Sequence, residues 1–194
     1  METQKQIAEI GRVLIVEDQG DPLRLLESVV KEIVPKYFPN FQAEETPILF
    51  RNYGFRQAQI QCFTSKDYDI ARSVASARDM FIENKYGLIL LDHRIPMQDI
   101  EEPVAPVGKN VDYTEYFKQE RAYSDCLRNI GYSLIPEIRR SNPSAVIVGT
   151  SSMKRELSDF PSPDFSLSKL DARQDLESIL GQIREKILKG GERK

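Results

Sequence analysis

An acidic pair, Glu17-Asp18, a separate aspartate, Asp92, and a lysine, Lys169, each close a short run that contains apolar residues. The runs are Arg12-Val13-Leu14-Ile15-Val16, Leu88-Ile89-Leu90-Leu91 and Asp164-Phe165-Ser166-Leu167-Ser168. Three clustered carboxylates make a site for a divalent cation, and a lysine beside them can hold an anion. These residues are far apart in sequence, so the chemistry depends on what gathers them. Apolar runs of this length, bounded by polar residues and separated by helical patterns, read as buried parallel strands. In an open α/β sheet, ligands bind outside the carboxyl ends of the strands. The expectation is that all four side chains meet at one edge of one sheet.

The elements that must position them follow from periodicity and caps. A first strand over Arg12–Val16 leads to a helix over Pro22–Tyr37, with Asp21 as cap and Pro22 at the first helical position. Leu23, Leu26, Val30, Ile33 and Val34 share one face of that helix, and Pro35 and Pro39 bracket its end. Ile48-Leu49-Phe50 and Ala58–Phe63 could form two further strands around Asn52-Tyr53-Gly54, a weak turn signal. The second strand of the main sheet is either Gln59–Phe63 or Tyr68–Val74. The latter is favoured because Ser76 and Asp79 then form a capping box for a helix over Ala77–Asn84. The third strand is Leu88–Asp92. Residues 98–129 lack α/β rhythm, although Val111–Arg128 has helical character with a stripe of Tyr113, Tyr116, Phe117, Tyr123 and Leu127. Rhythm returns with a helix over Leu134–Arg140, a fourth strand over Ala145–Gly149, a fifth over Phe165–Ser168 and a final helix over Ala172–Leu188. Asp171 is its expected cap, and Gly190-Gly191 its end. Such alternation favours a parallel sheet with helices on both faces.

Composition narrows the function classes. The chain has 194 residues, 40% hydrophobic and 29% charged, a globular profile with room for one ample domain. Its net charge is −3, from 27 basic and 30 acidic residues, so a direct nucleic-acid role has no electrostatic support. No apolar stretch approaches the roughly 20 residues that span a bilayer. Met1–Gln6 lacks the apolar segment of a signal peptide, and Cys62 and Cys126 lack metal-ligand spacing and read as free thiols. The expected compartment is the cytoplasm. A single histidine, His93, gives poor support to a zinc site or a Ser-His-Asp triad. In a strand it points away from Asp92, which makes it a structural residue on the packed side.

Five segments in order resemble the receiver domain of bacterial two-component response regulators. They are Val13-Leu14-Ile15-Val16-Glu17-Asp18, Leu88-Ile89-Leu90-Leu91-Asp92-His93-Arg94-Ile95-Pro96-Met97, Gly131–Arg140, Ala145-Val146-Ile147-Val148-Gly149-Thr150-Ser151 and Ser168-Lys169. The resemblance covers about 12–34 and 68–188. It implies a CheY-like, flavodoxin-like doubly wound sheet of five parallel strands in order 2-1-3-4-5. Residues 1–194 then form a single receiver-like domain, with insertions at about 40–67 and 98–130. It also implies that Asp92 accepts a phosphoryl group from a sensor histidine kinase or phosphotransfer protein. Glu17, Asp18, Asp92 and the backbone carbonyl of Arg94 would hold Mg²⁺, Thr150 would hydrogen-bond the phosphoryl group, and Lys169 would pair with it. Any catalysis would be Mg²⁺-dependent self-phosphorylation and autodephosphorylation only.

Four features depart from the family pattern. Leu170 follows Lys169 in place of the usual proline, which is expected to change the turn that sets the reach of Lys169. Ser166 stands where a switch aromatic is common, with Phe165 expected to point the other way. Ser151 adds a hydroxyl after Thr150. Gly131 matches a glycine that normally lies a few residues beyond the acceptor, so about thirty residues are inserted beside Asp92. The insertion's aromatic stripe either packs on the parent domain or forms a surface for a partner or a homodimer. An alternative function is therefore a phosphorylation-independent interaction module acting through the insertion. An aspartyl phosphohydrolase of the haloacid-dehalogenase type ranks last, because Arg94 occupies the position where a second aspartate is needed.

Overall fold

A computed structural model describes residues 10–41, 67–106, 112–151 and 160–191. The strands are β1 (Arg12–Val16), β2 (Tyr68–Ala71), β3 (Tyr86–Asp92), β4 (Arg94–Pro96), β5 (Leu127–Asn129), β6 (Val146–Ser151) and β7 (Phe165–Ser168). The α-helices are α1 (Gly20–Tyr37), α2 (Val74–Glu83), α3 (Thr114–Cys126), α4 (Ile135–Ser141) and α5 (Ala172–Gly191), with a 3₁₀ turn over Gly131–Leu134 ahead of α4. Among the described residues the main sheet has five parallel strands in the order β2-β1-β3-β6-β7. Counting main-sheet strands alone, that is the order 2-1-3-4-5 expected from the sequence.

The apolar runs become strands because both their faces are covered. Val13, Ile15, Leu88, Leu90, Val148 and Leu167 face α1 and α5, where Leu26, Val30, Ile33, Leu176, Leu180 and Ile183 complete one core. Their neighbours Leu14, Val16, Ile89, Leu91 and Ile147 face the other way, against Val74, Ala77 and Phe81 of α2 and Ile135 and Ile138 of α4. Alternate residues thus fill opposite cores, which is why the runs are continuously apolar.

Several local expectations are corrected. The second strand ends at Ala71 rather than Val74. Helix α2 starts earlier than the Ser76-Asp79 pattern suggests. Ser73 is its cap, accepting from the Ser76 amide, while the Ser76 hydroxyl accepts from the Ser73 amide. A capping box is present, but one serine upstream of the expected one. Helix α1 begins at Gly20 without a side-chain cap from Gln19 rather than at Pro22 with Asp21 as cap, although its end at Tyr37 does lie between Pro35 and Pro39. The proposed strands over 48–50 and 58–63, and Cys62, lie outside the described residues. Cys126 is a free, exposed thiol.

The segment beside Asp92 contains structure that the sequence did not suggest. β4 pairs antiparallel with β5 in a separate two-stranded ribbon, Arg94 opposite Asn129 and Pro96 opposite Leu127. The segment therefore leaves and rejoins the sheet at one point. The Gly131 amide donates to the His93 carbonyl at 2.8 Å. A Cβ at Gly131 would stand 1.9 Å from the Asp92 carbonyl oxygen, so only glycine permits this approach. Among the described residues no helix is long and apolar enough to cross a membrane.

Candidate functional site

The strand order reverses direction at β1, which has β2 on one side and β3 on the other. Such a switch point opens a crevice at the carboxyl ends of the strands. Glu17 and Asp18 follow β1, and Asp92 is the last residue of β3. One carboxylate oxygen from each of Glu17, Asp18 and Asp92 lies within 4.8 Å of the others, and all three residues are buried. The short β7–α5 connection carries Lys169 over them. Its Nζ lies 2.6 Å from Glu17 Oε2 and 3.0 Å from Asp92 Oδ2. Lys169 therefore reaches the site although Leu170 follows it, and Leu170 itself is 88% exposed.

Register places Thr150 of β6 directly beside Asp92 of β3. Thr150 is fully buried, and its hydroxyl has no hydrogen-bond partner among the described residues. The same is true of Asp18 Oδ1. Buried polar atoms normally find partners, so two orphans in one crevice mark a place for a ligand. Asp92 is oriented by its own surroundings: Oδ1 accepts from the His93 amide at 2.8 Å, and Oδ2 accepts from Lys169. Arg94 sits in the ribbon, and its side chain turns away to donate to Ser124 Oγ at 3.0 Å.

Three buried carboxylates face one ammonium, and the local electrostatics reflect the imbalance. Burial pushes the Glu17 carboxyl up to about 7, and neighbouring Asp92 adds to this while Lys169 opposes it. Burial also raises Asp18 and Asp92 above the usual carboxylate range, in Asp92 against the pull of Lys169 and the amides of His93 and Arg94. Burial alone would lower Lys169, but Asp92 and Glu17 outweigh it and hold the ammonium above its ordinary value. A pocket of this kind is short of positive charge, and its oxygen donors suit a hard divalent cation.

His93 is buried on the packed side as expected, with its ring centroid 4.7 Å from Tyr132 and 5.2 Å from Phe160. It is not a hydrogen-bonded structural histidine, however. Neither ring nitrogen has a partner among the described residues, and burial lowers its pKa. Ser166 is exposed, and Phe165 packs on the α1–α5 side, so neither serves as an aromatic facing Thr150.

The insertion supplies a site neighbour that the sequence pointed to only as part of a stripe. The Tyr123 hydroxyl donates to Asp18 Oδ2 at 2.6 Å. Leu127 is buried, whereas Tyr113 and Phe117 are exposed and cluster with Tyr116 at centroid separations of 5.6–6.4 Å. The stripe is therefore split: its carboxyl end turns inward and its amino end does not. The loop ahead of α3 also reaches the site's rim, where Glu102 accepts from the Gly20 amide at the start of α1, 2.8 Å away. A carboxylate there is favourable at a helix N-terminus.

No protein-family model matches the sequence, and no curated protein sequence matches it. Solved structures do match. The chain is similar to the signal receiver domain of an HD domain-containing protein from Pseudomonas fluorescens Pf-5, with a TM-score of 0.54 at 14% identity over 100% of both chains. It is also similar to a response regulator receiver domain protein (CheY-like) from Methanospirillum hungatei JF-1. There the TM-score is 0.52 at 13% identity, covering 93% of this chain and 98% of that one. The chain has the CheY-like receiver fold, a flavodoxin-like α/β architecture.

Proposed function

We propose that this chain is a phosphorylation-controlled response regulator receiver, taking a phosphoryl group on Asp92 from a sensor histidine kinase or phosphotransfer protein. The observation that carries the reading is the meeting of Glu17, Asp18 and Asp92 within 4.8 Å, with Lys169 Nζ 3.0 Å from Asp92. Glu17, Asp18, Asp92 and the Arg94 carbonyl are the proposed holders of Mg²⁺. When bound, the ion would offset the negative charge that otherwise keeps a carboxylate from approaching a phosphoryl group.

The remaining chemistry belongs to the side chains. An Asp92 carboxylate oxygen forms a bond to phosphorus as the bond to the donor breaks, and the electron pair of that bond leaves with the donor. The Lys169 ammonium neutralises charge on the phosphoryl oxygens from its position beside Asp92. The unpartnered Thr150 hydroxyl donates to one of those oxygens, which ties the modification to β6. Attack of water on phosphorus breaks the bond to Asp92, releases inorganic phosphate and returns Asp92 to a carboxylate, so the chain is a self-resetting switch rather than a conventional enzyme. The proposed setting is the cytoplasm, with 1–194 acting as one receiver-like unit and 98–130 as an insertion within it.

The test is labelling with a small acyl phosphate in the presence of Mg²⁺. Incorporation that disappears in Asp92→Asn supports the reading, and absence of Asp92-dependent label rejects it. The ring cluster of exposed Tyr113 and Phe117 with partly buried Tyr116 favours a second reading, an interaction module independent of phosphorylation. Partner binding that survives Asp92→Asn but is lost in a Tyr116→Ala, Phe117→Ala double variant would select it.

A further inference from the structure

Helix α3 is poorly anchored by its own packing, since none of its residues is buried. Yet one of its side chains reaches 105 residues back along the chain to a carboxylate of the acidic cluster, Tyr123 to Asp18. The phenol donates to Asp18 Oδ2 at 2.6 Å. The other oxygen, Oδ1, is buried and has no hydrogen-bond partner among the described residues. The backbone of Asp18 is tied separately, its carbonyl accepting from Arg72 Nη2 at 3.2 Å. The residue is therefore held at its main chain and at one carboxylate oxygen, with the second oxygen left over. That is the arrangement of a metal-ligating carboxylate steadied by an outer hydrogen bond.

We infer that Tyr123 is a positioning residue of the cation site, and that through it the inserted helix is energetically coupled to cation binding. The inference rests on the reading of Glu17, Asp18 and Asp92 as Mg²⁺ ligands and extends it to the regulation of that site. Coupling runs both ways: if Tyr123 improves the site for the ion, the ion must steady α3 by the same factor. Two further ties make α3 responsive as a unit. Arg94 donates to Ser124 Oγ at 3.0 Å, and β5 directly continues α3 into the ribbon with β4. A change at the acidic cluster thus has a short physical route to the exposed rings of Tyr113 and Phe117.

The experiment is a calorimetric Mg²⁺ titration of the full chain, the Tyr123→Phe variant and a Tyr116→Phe control. Amide hydrogen exchange of residues 114–126 is followed with and without Mg²⁺. Removal of an outer partner of this kind weakens metal binding about 10–100-fold. That loss is expected for Tyr123→Phe and not for Tyr116→Phe. Mg²⁺ should slow exchange in α3 of the wild type and leave it unchanged in Tyr123→Phe. Unchanged or tighter binding by Tyr123→Phe overturns the inference while leaving the cation site intact. A wild-type chain that binds no Mg²⁺ overturns the reading of the site itself. Should the variant fail to fold, wild-type exchange alone decides: an α3 indifferent to Mg²⁺ rejects the coupling.

Discussion

The sheet edge and the inserted helix beside it are held in opposite ways. At the edge, Glu17, Asp92 and Thr150 sit on or next to strands whose residues fill two cores, and none is more than 6% exposed. No residue of helix α3 is fully buried, and the helix is tied by polar contacts, Tyr123 to Asp18 and Arg94 to Ser124. Burial fixes side-chain geometry against a large free-energy penalty, whereas a single net hydrogen bond to a charged group contributes only about 1.5–3 kcal/mol. A reacting constellation belongs on the first kind of support. An element that must respond to the state of that constellation belongs on the second.

The difference is broken most directly by truncating the core. Leu90→Ala, in the central strand β3, should lower stability by about 2–5 kcal/mol in urea denaturation. A cost below 1 kcal/mol would show that the edge is not held by its core. Lys169→Ala should slow Asp92 labelling by an acyl phosphate about 10²–10³-fold, the usual loss when one preorganised charge partner is removed. Tyr113→Ala should leave that rate within about twofold, because its ring is exposed and packs on Tyr116 and Phe117.

Acid and base sharpen the comparison further. Folding raises the Glu17 carboxyl from 4.5 to about 7, so the metal-free folded state binds its proton more tightly than the unfolded chain does. Its stabilising contribution is full below about pH 4.5 and is lost as pH rises through 7, on the order of 3 kcal/mol at most. Denaturation at pH 5 and pH 7.5 in chelator should show this fall, and Mg²⁺ should restore more stability at pH 7.5 than at pH 5. A metal-free protein more stable at pH 7.5 would contradict the crowding of carboxylates. The smallest effect is expected at Phe117→Ala, within about 0.5 kcal/mol, because the ring is 59% exposed. A larger loss would mean that α3 is packed more firmly than its burial indicates.

How much of this was legible varied with the range of the forces involved. Val13–Val16 and Leu88–Leu91 announced strands because a strand covered on both faces has no polar alternation to blur it. Lys169 was recognisable only through its place after β7 and its resemblance to a family pattern, since an isolated lysine carries no local signal. The cap of α2 lies three residues upstream of the expected one. Ser73 and Ser76 both fit a cap, and what distinguishes them is the full burial of Ser73, a tertiary property. The β4–β5 ribbon was invisible because each strand has three residues, too few for a period to register. In the sequence Tyr123 is one ring in a stripe, and nothing nearby distinguishes it as the one whose hydroxyl meets Asp18.

The amino-acid sequence by itself determined the alternation of strands and helices and the residue types at the strand ends, because hydrophobic period and local caps act within a few residues. It did not determine where α3 lies or that Gly131 closes against Asp92. Those depend on contacts between segments remote in the chain, which only the assembled sheet brings within hydrogen-bonding distance. The acidic cluster lies between the two. Its members could be named from the sequence, but their separation of less than 5 Å exists only once β1 and β3 are paired.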